Sequence, residues 1–227
     1  MLIDHWPLLG LRLTTPRLEL RLPSGEELAE LADLAAEGVH DPDRMPFSVP
    51  WSDLPPRERA RSVVQHHWLR LGNWTPDDWA LNLTVFEHGR IVGQQSIAAR
   101  DFATLREVDT GSWIGLRHQG RGTGTEMRAA VLHLAFAGLG AAEATSAAFA
   151  DNPSSYRVSG KLGYEPDGIQ RLTVRGRPTV MRRLRLSRAR WEEQRQEANV
   201  SIEGLSACLP LLGLPGEPDE LPDGTTA

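Results

Sequence analysis

The chain has 227 residues and a mass of 25.1 kDa, enough for one sizeable domain with its own hydrophobic core. Hydrophobic residues make up 40% and charged residues 24%, which excludes a disordered or fibrous chain. The net charge of -5 argues against a chain-wide affinity for nucleic acid. The only cysteine, Cys208, excludes an intrachain disulfide and a Cys-based zinc site, and favours a reducing, cytoplasmic setting.

The sequence predicts neither a signal peptide nor a membrane span. The first ten residues include Asp4 and His5 and lack an apolar stretch. The longest weakly polar run, residues 129–142, is interrupted by His133 and falls short of the ~20 residues that a bilayer-spanning helix needs. A cytoplasmic protein without a membrane partner is therefore expected.

The N-terminal part of the chain predicts a strand followed by two helices. Residues 18–22 alternate apolar and charged side chains, which is typical of a half-buried strand. Ser24 and Glu27 form a capping-box pattern ahead of a leucine-rich stretch, which predicts a helix start. Five prolines between residues 38 and 56 exclude a regular helix there, and a second helix is expected over about 57–71.

From residue 81 onward the pattern changes to that of strands. Alternation over 81–86 followed by a His88-Gly89 turn predicts a hairpin. The later elements are expected as strands over about 106–114, 144–149, 164–174 and 179–186, a long helix over about 122–138 and a short helix between Asn152 and Gly163. This order predicts a mixed α/β fold, with α/β and α+β character.

The composition changes again after residue 187. We therefore divide the chain into a domain over residues 1–187 and a C-terminal part over 188–227. The latter is expected to hold a polar helix to about Asn199 and then an acidic segment rich in proline and glycine. Its last ~15 residues are expected to be poorly ordered unless they dock.

The most informative segment is Arg117-His-Gln-Gly-Arg-Gly-Thr-Gly-Thr125, which follows a predicted strand and opens the long helix. Glycines at 120, 122 and 124 leave main-chain N–H groups uncovered beside the positive end of a helix. These donors predict a phosphate or diphosphate site. A Walker A loop is excluded because the segment has no lysine. A G-x-G-x-x-G loop is excluded because threonine or methionine stands at the third glycine position.

The remaining pattern, Gln119-x-x-Gly122-x-Gly124, resembles the coenzyme A diphosphate loop of the GNAT N-acyltransferase superfamily. Other segments resemble the RimJ/RimL-like branch of that superfamily, in the same order and over about residues 11–186: Leu11-x-Leu-x-Thr-x-Arg17-Leu-x-Leu, Asp109-Thr-Gly-Ser-Trp113-Ile, Asn152-x-x-Ser155 and Lys161-Leu-Gly-Tyr164.

The resemblance implies a GNAT fold, with a mixed, mostly antiparallel sheet flanked by about four helices and splayed between its fourth and fifth strands. It implies acyl-coenzyme A, with acetyl-CoA or succinyl-CoA as the donor, bound in that gap without a metal. The resemblance implies that Trp113, Ile114 and Leu116 contact the pantetheine. It implies that the diphosphate is held by seven loop residues, Gln119, Gly120, Arg121, Gly122, Thr123, Gly124 and Thr125, with Arg117 and Arg121 as charge partners. It also implies that Asn152 contacts the pantetheine from the opposite wall. Asn152 could equally serve mainly as a helix cap.

Acyl transfer to an amine requires a neutral nitrogen. At pH 7 deprotonation costs about 4.6 kcal/mol for a lysine amine and about 1 kcal/mol for an α-amine, so an α-amine needs little help from a base. Asp109 matches the acidic position of the family motif and is the first candidate base. Glu107, on the same strand face, is the second. Either acid could instead be an ordinary surface or ion-paired residue. The resemblance also implies an oxyanion contact from an N–H group near Ile114.

The candidate acid is less well defined. Many GNAT enzymes have a tyrosine seven residues after the asparagine, where this chain has Ser159. Ser155 is therefore the candidate for the hydrogen bond to the leaving sulfur, although its hydroxyl could instead bond to the preceding helical turn. The apolar segment 45–51 is expected either to line the acceptor or acyl pocket or to form a dimer contact.

The predicted function is transfer of an acetyl or succinyl group from coenzyme A to a primary amine. The amine would belong to a protein N-terminus or a small molecule and would attack directly in a ternary complex. A homodimer or larger homo-oligomer is compatible with this prediction. The alternative is a GNAT-fold module that binds acyl-CoA without turnover, as a sensor or assembly subunit.

Overall fold

The computed structural model describes residues 1–194 and 199–216. Within them lies a nine-stranded sheet: β1 (Arg12–Thr14), β2 (Leu18–Arg21), β3 (Asp78–Glu87), β4 (Arg90–Arg100), β5 (Glu107–Ile114), β6 (Glu143–Phe149), β7 (Glu165–Val174), β8 (Arg177–Ser187) and β9 (Ser201–Glu203). The α-helices of these residues are α1 (Leu2–His5), α2 (Gly25–Glu37), α3 (Pro56–Gly72), α4 (Phe102–Leu105), α5 (Thr123–His133), α6 (Pro153–Lys161) and α7 (Arg188–Gln194).

The sheet is open, with strand order β7-β8-β6-β5-β4-β3-β2-β1-β9. Its pairs are antiparallel except for β5 and β6, which run parallel. The β5–β6 ladder is short and joins only Glu107–Asp109 to Glu143–Thr145. Beyond it the two strands diverge. They correspond to the fourth and fifth predicted strands, over about 106–114 and 144–149, so the predicted splay of a mixed, mostly antiparallel sheet is confirmed.

Helices cover both faces of the sheet. On one face α2 and α3 bury a cluster that includes Leu31, Val63 and Ile91. On the other, α5 packs Met127 and Val131 into the main core. Because alternate residues of a strand point to opposite faces, the odd-numbered residues of β5 share one face and the even-numbered residues the other.

Helix α2 begins where the capping box predicts. The Ser24 hydroxyl accepts a hydrogen bond from the Glu27 N–H, and the Glu27 carboxylate accepts one from the Ser24 N–H. The long helix expected over 122–138 is regular only to His133 and continues as a π-helical stretch, Leu134–Gly138.

Strand β9 is absent from the sequence-based prediction. It pairs Ile202 with Leu13 of β1, and a following 3₁₀ helix buries Cys208 and Leu212 in the main core. Three residues are too short a run for a period-2 pattern to be recognised. The final residues, 217–227, and the expected end of the polar helix lie outside the described residues.

Among the described residues, no helix is both long and apolar enough to cross a bilayer. The same residues contain no group of three or more His, Cys, Asp or Glu side chains arranged to hold a metal ion.

Candidate acyl-CoA site

The gap between β5 and β6 is the central feature of the candidate site. Main-chain pairing ends at Asp109 and Thr145, and side chains bridge the strands next. The Thr110 hydroxyl donates to the Thr145 carbonyl at 3.1 Å, and the Ser146 hydroxyl donates to the Thr110 carbonyl at 3.4 Å. From there to Ile114 the β6-facing edge of β5 has no strand partner, which leaves main-chain groups available to an extended ligand.

The loop before α5 adopts the conformation that a phosphate site requires. Gly120 and Gly122 have φ of 78° and 83°, a left-handed backbone that favours glycine. Within the part of the chain that the structure describes, the N–H groups of Gly122, Thr123 and Gly124 donate to no acceptor, and the buried Thr123 hydroxyl also has no partner. Free amides at the positive end of a helix can hold a diphosphate, so these residues fit the expected group.

Several predicted contacts have structural roles of their own. The Gln119 side chain donates to the carbonyls of Val39 and Ile114 at 2.8 and 2.9 Å, which ties the loop to β5 and to the end of α2. The Leu116 N–H donates to the Gly38 carbonyl at 3.0 Å, so it is already engaged within the protein. Trp113 is half-buried on the α2–α3 face.

Arginine side chains surround the diphosphate loop. Arg117 is paired with Glu37, whereas Arg121 has no carboxylate partner among the described residues and only donates to the Arg117 carbonyl. The sequence analysis did not assign Arg17 to this site. Its guanidinium pairs with Glu126 and Glu87 and also donates to the Arg121 carbonyl at 3.3 Å. Two carboxylates therefore compensate its charge, and its role beside Gly122 is to hold the loop in place.

Helix α6 forms the opposite wall of the gap. Asn152 is its N-cap, and the side-chain oxygen accepts from the Ser155 N–H at 3.2 Å, as the capping alternative predicted. Ser155 is half-buried, and its hydroxyl makes no hydrogen bond to any residue that the structure describes. The expected alternative bond to the preceding turn is therefore not formed.

The two candidate bases have different surroundings. Glu107 is paired with Arg185 at 2.6 Å, the ion-paired alternative that the sequence left open. Asp109 is the last residue of β5 that pairs with β6, and its carboxylate accepts a hydrogen bond from the Thr145 hydroxyl at 3.2 Å. Although Asp109 keeps an exposed surface, the protein around its carboxyl removes water and raises its pKa. The Thr145 hydrogen bond and the Arg128 charge oppose this, and Glu107 adds to it.

Three residues of the apolar segment 45–51 pack against the rest of the molecule: Met45 is buried and Phe47 and Trp51 are half-buried, whereas Val49 is 67% exposed. Phe47 contacts Trp51 with ring centroids 5.1 Å apart, and Trp51 contacts Trp113 of β5 at 5.9 Å. Met45 packs with Phe149 at the end of β6. The segment therefore spans from β5 to β6 on the α2–α3 face.

Together, a split sheet and free amides at a helix N-terminus are features that suit a long, diphosphate-containing ligand. The acetyltransferase (GNAT) domain model matches residues 17–165 of this chain. The chain belongs to the GNAT acetyltransferase family, as the motifs predicted.

Solved structures share the fold at low sequence identity. A GCN5-related N-acetyltransferase from Brucella melitensis is 17% identical over 80% of this chain and 80% of its own, with a TM-score of 0.63. An acetyltransferase (GNAT family) from Bacillus anthracis is 14% identical over 78% and 99%, with a TM-score of 0.60. RimL, a ribosomal L7/L12 alpha-N-protein acetyltransferase in complex with coenzyme A, is 16% identical over 76% and 95%, with a TM-score of 0.60. The presence of RimL among these neighbours agrees with the predicted branch.

Proposed function

We propose that this chain transfers an acetyl or succinyl group from coenzyme A to the primary amine of a protein N-terminus or a small molecule. The amine would attack directly while both substrates are bound. The observation that carries the proposal is the β5–β6 gap with the free amides of residues 122–124 at its helix end. Bound acyl-CoA would supply the activated thioester.

In this proposal Asp109 accepts the proton of the attacking amine, either directly or through water. Its position at the closed end of the gap and its raised pKa both suit a base that works near neutral pH. Glu107 is disfavoured because Arg185 holds its carboxylate. The free Ser155 hydroxyl donates a hydrogen bond to the departing sulfur. Trp113 and Ile114 contact the pantetheine arm.

An α-amine is the favoured acceptor because it needs little help from a base at neutral pH. Phe47, Trp51 and Trp113 form an aromatic wall on the α2–α3 face, which suits an apolar group next to that amine. The fold shared with an α-N-protein acetyltransferase supports a protein N-terminus as one such acceptor.

The second candidate function is acyl-CoA binding without turnover. It is favoured by one observation: the position of the usual tyrosine is held by Ser159, which is fully buried, accepts a hydrogen bond from Arg128 and, as an aliphatic alcohol, is too weak an acid to protonate the leaving thiolate. This function would be favoured if acyl-CoA stabilised the protein but released no thiol in the presence of any amine.

The test is release of free thiol from acetyl-CoA and succinyl-CoA over a panel of peptide and small-molecule amines. We expect turnover with at least one pair, and loss of CoA binding in Gly122→Asp because a carboxylate would repel the diphosphate. Gly176→Asp is the matched control, since Gly176 has a similar left-handed φ of 71° in the β7–β8 turn and open space around its Cβ position. Normal CoA affinity in Gly122→Asp would contradict the proposed site.

A further inference from the structure

Arg128 of α5 is a buried cation without a carboxylate partner. The residue is 4% exposed, and no carboxylate in the described part of the chain forms an ion pair with it. Its guanidinium instead donates to three serine hydroxyls, and its Nε–H is buried with no partner. Burying an uncompensated charge is costly, so a neutral side chain would be the more stable choice if the residue served packing alone.

The three serines place this charge at the gap. Ser112 of β5 accepts from Nη2 at 3.2 Å, Ser146 of β6 accepts from Nη1 at 3.3 Å, and Ser159 of α6 accepts from Nη1 at 2.9 Å. Ser146 directly follows Thr145, the last residue of β6 that pairs with β5, and Ser112 lies three residues beyond Asp109, the last residue of β5 that pairs with β6. Arg128 therefore bridges β5, β6 and α6 where the main-chain ladder has ended.

The reaction under "Proposed function" creates a negative charge in this gap. As the amine nitrogen bonds to the thioester carbon, the carbon–sulfur bond breaks and its electron pair remains on sulfur, while the amine proton passes to Asp109. A serine hydroxyl can solvate a thiolate but is too weak an acid to protonate it. Tyr164, the buried phenol in this region, is bonded to Thr110 at 3.0 Å, and burial raises the pKa of Tyr164 to about 12.

We propose that Arg128, held by Ser146 and acting through Ser112 and Ser159, is a positioning residue that stabilises the thiolate leaving group in the β5–β6 gap, in place of an acid that would protonate it. This inference rests on the proposed function. The positive charge of Arg128 already acts on groups in the gap, because it lowers the pKa of Asp109. Ser146 already donates its proton to the Thr110 carbonyl and so only holds the guanidinium in place. The Ser112 and Ser159 hydroxyls donate to no acceptor among the described residues, so each can turn its proton toward the sulfur.

The test compares binding of CoA with binding of S-methyl-CoA, a thioether that cannot ionise, from about pH 7 to about pH 10, across the ~8.5 pKa of a free thiol. An opposite charge nearby lowers a pKa by about 1–3 units, so affinity for CoA relative to the thioether should rise roughly tenfold or more in the wild-type protein. Both ligands carry the same phosphates, and the nearby groups Asp109, Tyr164, Glu107 and Arg185 face both ligands alike. Their contributions therefore cancel in the ratio.

Arg128→Gln should bind S-methyl-CoA as the wild type does and lose the pH-dependent preference for CoA, while Arg128→Lys should retain part of it. A wild-type ratio that stays constant with pH would overturn the inference even if Arg128→Gln fails to fold. A folded Arg128→Gln with the full preference would overturn it as well. Absence of binding by either ligand to the wild type would instead refute the proposed function.

Discussion

At the scale of single residues, Asp109 gives the sharpest prediction. Removal of water raises the pKa of its carboxyl above the ordinary value for aspartate, about 3.9. The acidic limb of the rate profile is therefore expected above that value, with activity gained as Asp109 deprotonates. Asp109→Asn should lower kcat/KM by about 100-fold or more at neutral pH and abolish that limb.

Thr145→Val is the matched variant for this measurement. It removes the hydrogen bond that lowers the pKa of Asp109, so the acidic limb should move to higher pH while the rate at its plateau is kept. The same raised pKa has a stability consequence of opposite sign. The folded state becomes less stable as pH rises from the unfolded pKa to the folded one, and Asp109→Asn should be free of that loss. An unchanged pH profile in Asp109→Asn would exclude its role as the base.

At the scale of elements, an ion pair and a hydrogen bond from the β7–β8 hairpin hold the loop over residues 40–53 in place. Arg175 in the hairpin turn forms a bidentate pair with Asp53, with Nε 2.7 Å from Oδ2, and also donates to the Pro42 carbonyl at 3.4 Å. The Arg175–Asp53 ion pair lowers the pKa of Asp53. The ion pair is therefore fully formed at neutral pH and is lost in acid as the Asp53 carboxyl becomes protonated. The aromatic wall is thus held in place by an exposed, salt-sensitive contact.

Asp53→Asn should therefore loosen the acceptor wall. We expect kcat/KM for the amine to fall roughly tenfold, mainly through KM, because binding groups shift relative to the gap. Affinity for CoA should stay the same, since the diphosphate loop is on another element. Arg177→Met is the control, because Arg177 lies in the same hairpin and makes no ion pair among the described residues. If Asp53→Asn and Arg177→Met had the same kcat/KM for the amine, the Arg175–Asp53 ion pair would not shape the acceptor site.

At the scale of the whole molecule, the segment after β8 completes the core at the edge opposite β7. Leu212 is 1% exposed, and the Trp74 indole N–H donates to the Leu211 carbonyl at 2.7 Å. Leu212→Ala should destabilise the protein by about 2–5 kcal/mol, measured by denaturant unfolding. Leu69→Ala, at a position that is 56% exposed, should change stability by less than about 0.5 kcal/mol. A similar loss in both would mean that this segment is not part of the cooperative fold.

Sequence-based prediction succeeded where the determinants are local. The Ser24 capping box, the His88-Gly89 hairpin turn and the Asn152 cap depend on residues within a few positions of one another. The glycine loop is local as well, because its conformation depends on left-handed backbone that glycine adopts freely.

Prediction failed where distant segments meet. The three residues of β9 gain their partner only through β1, about 190 residues earlier in the chain. Arg128 could have been noticed as a charge beside the apolar stripe of its helix. Its serine partners, however, come from two strands and another helix.

The sequence by itself determined the order of the main elements, the glycine loop before α5 and the family, because motif spacing and local backbone preferences are written along the chain. Only the tertiary structure decided which candidate acid is free and which is paired, where residues 45–51 pack, and that a buried cation stands between β5 and β6. Those outcomes depend on burial and on charges brought together from distant positions, and neither is a property of any one segment.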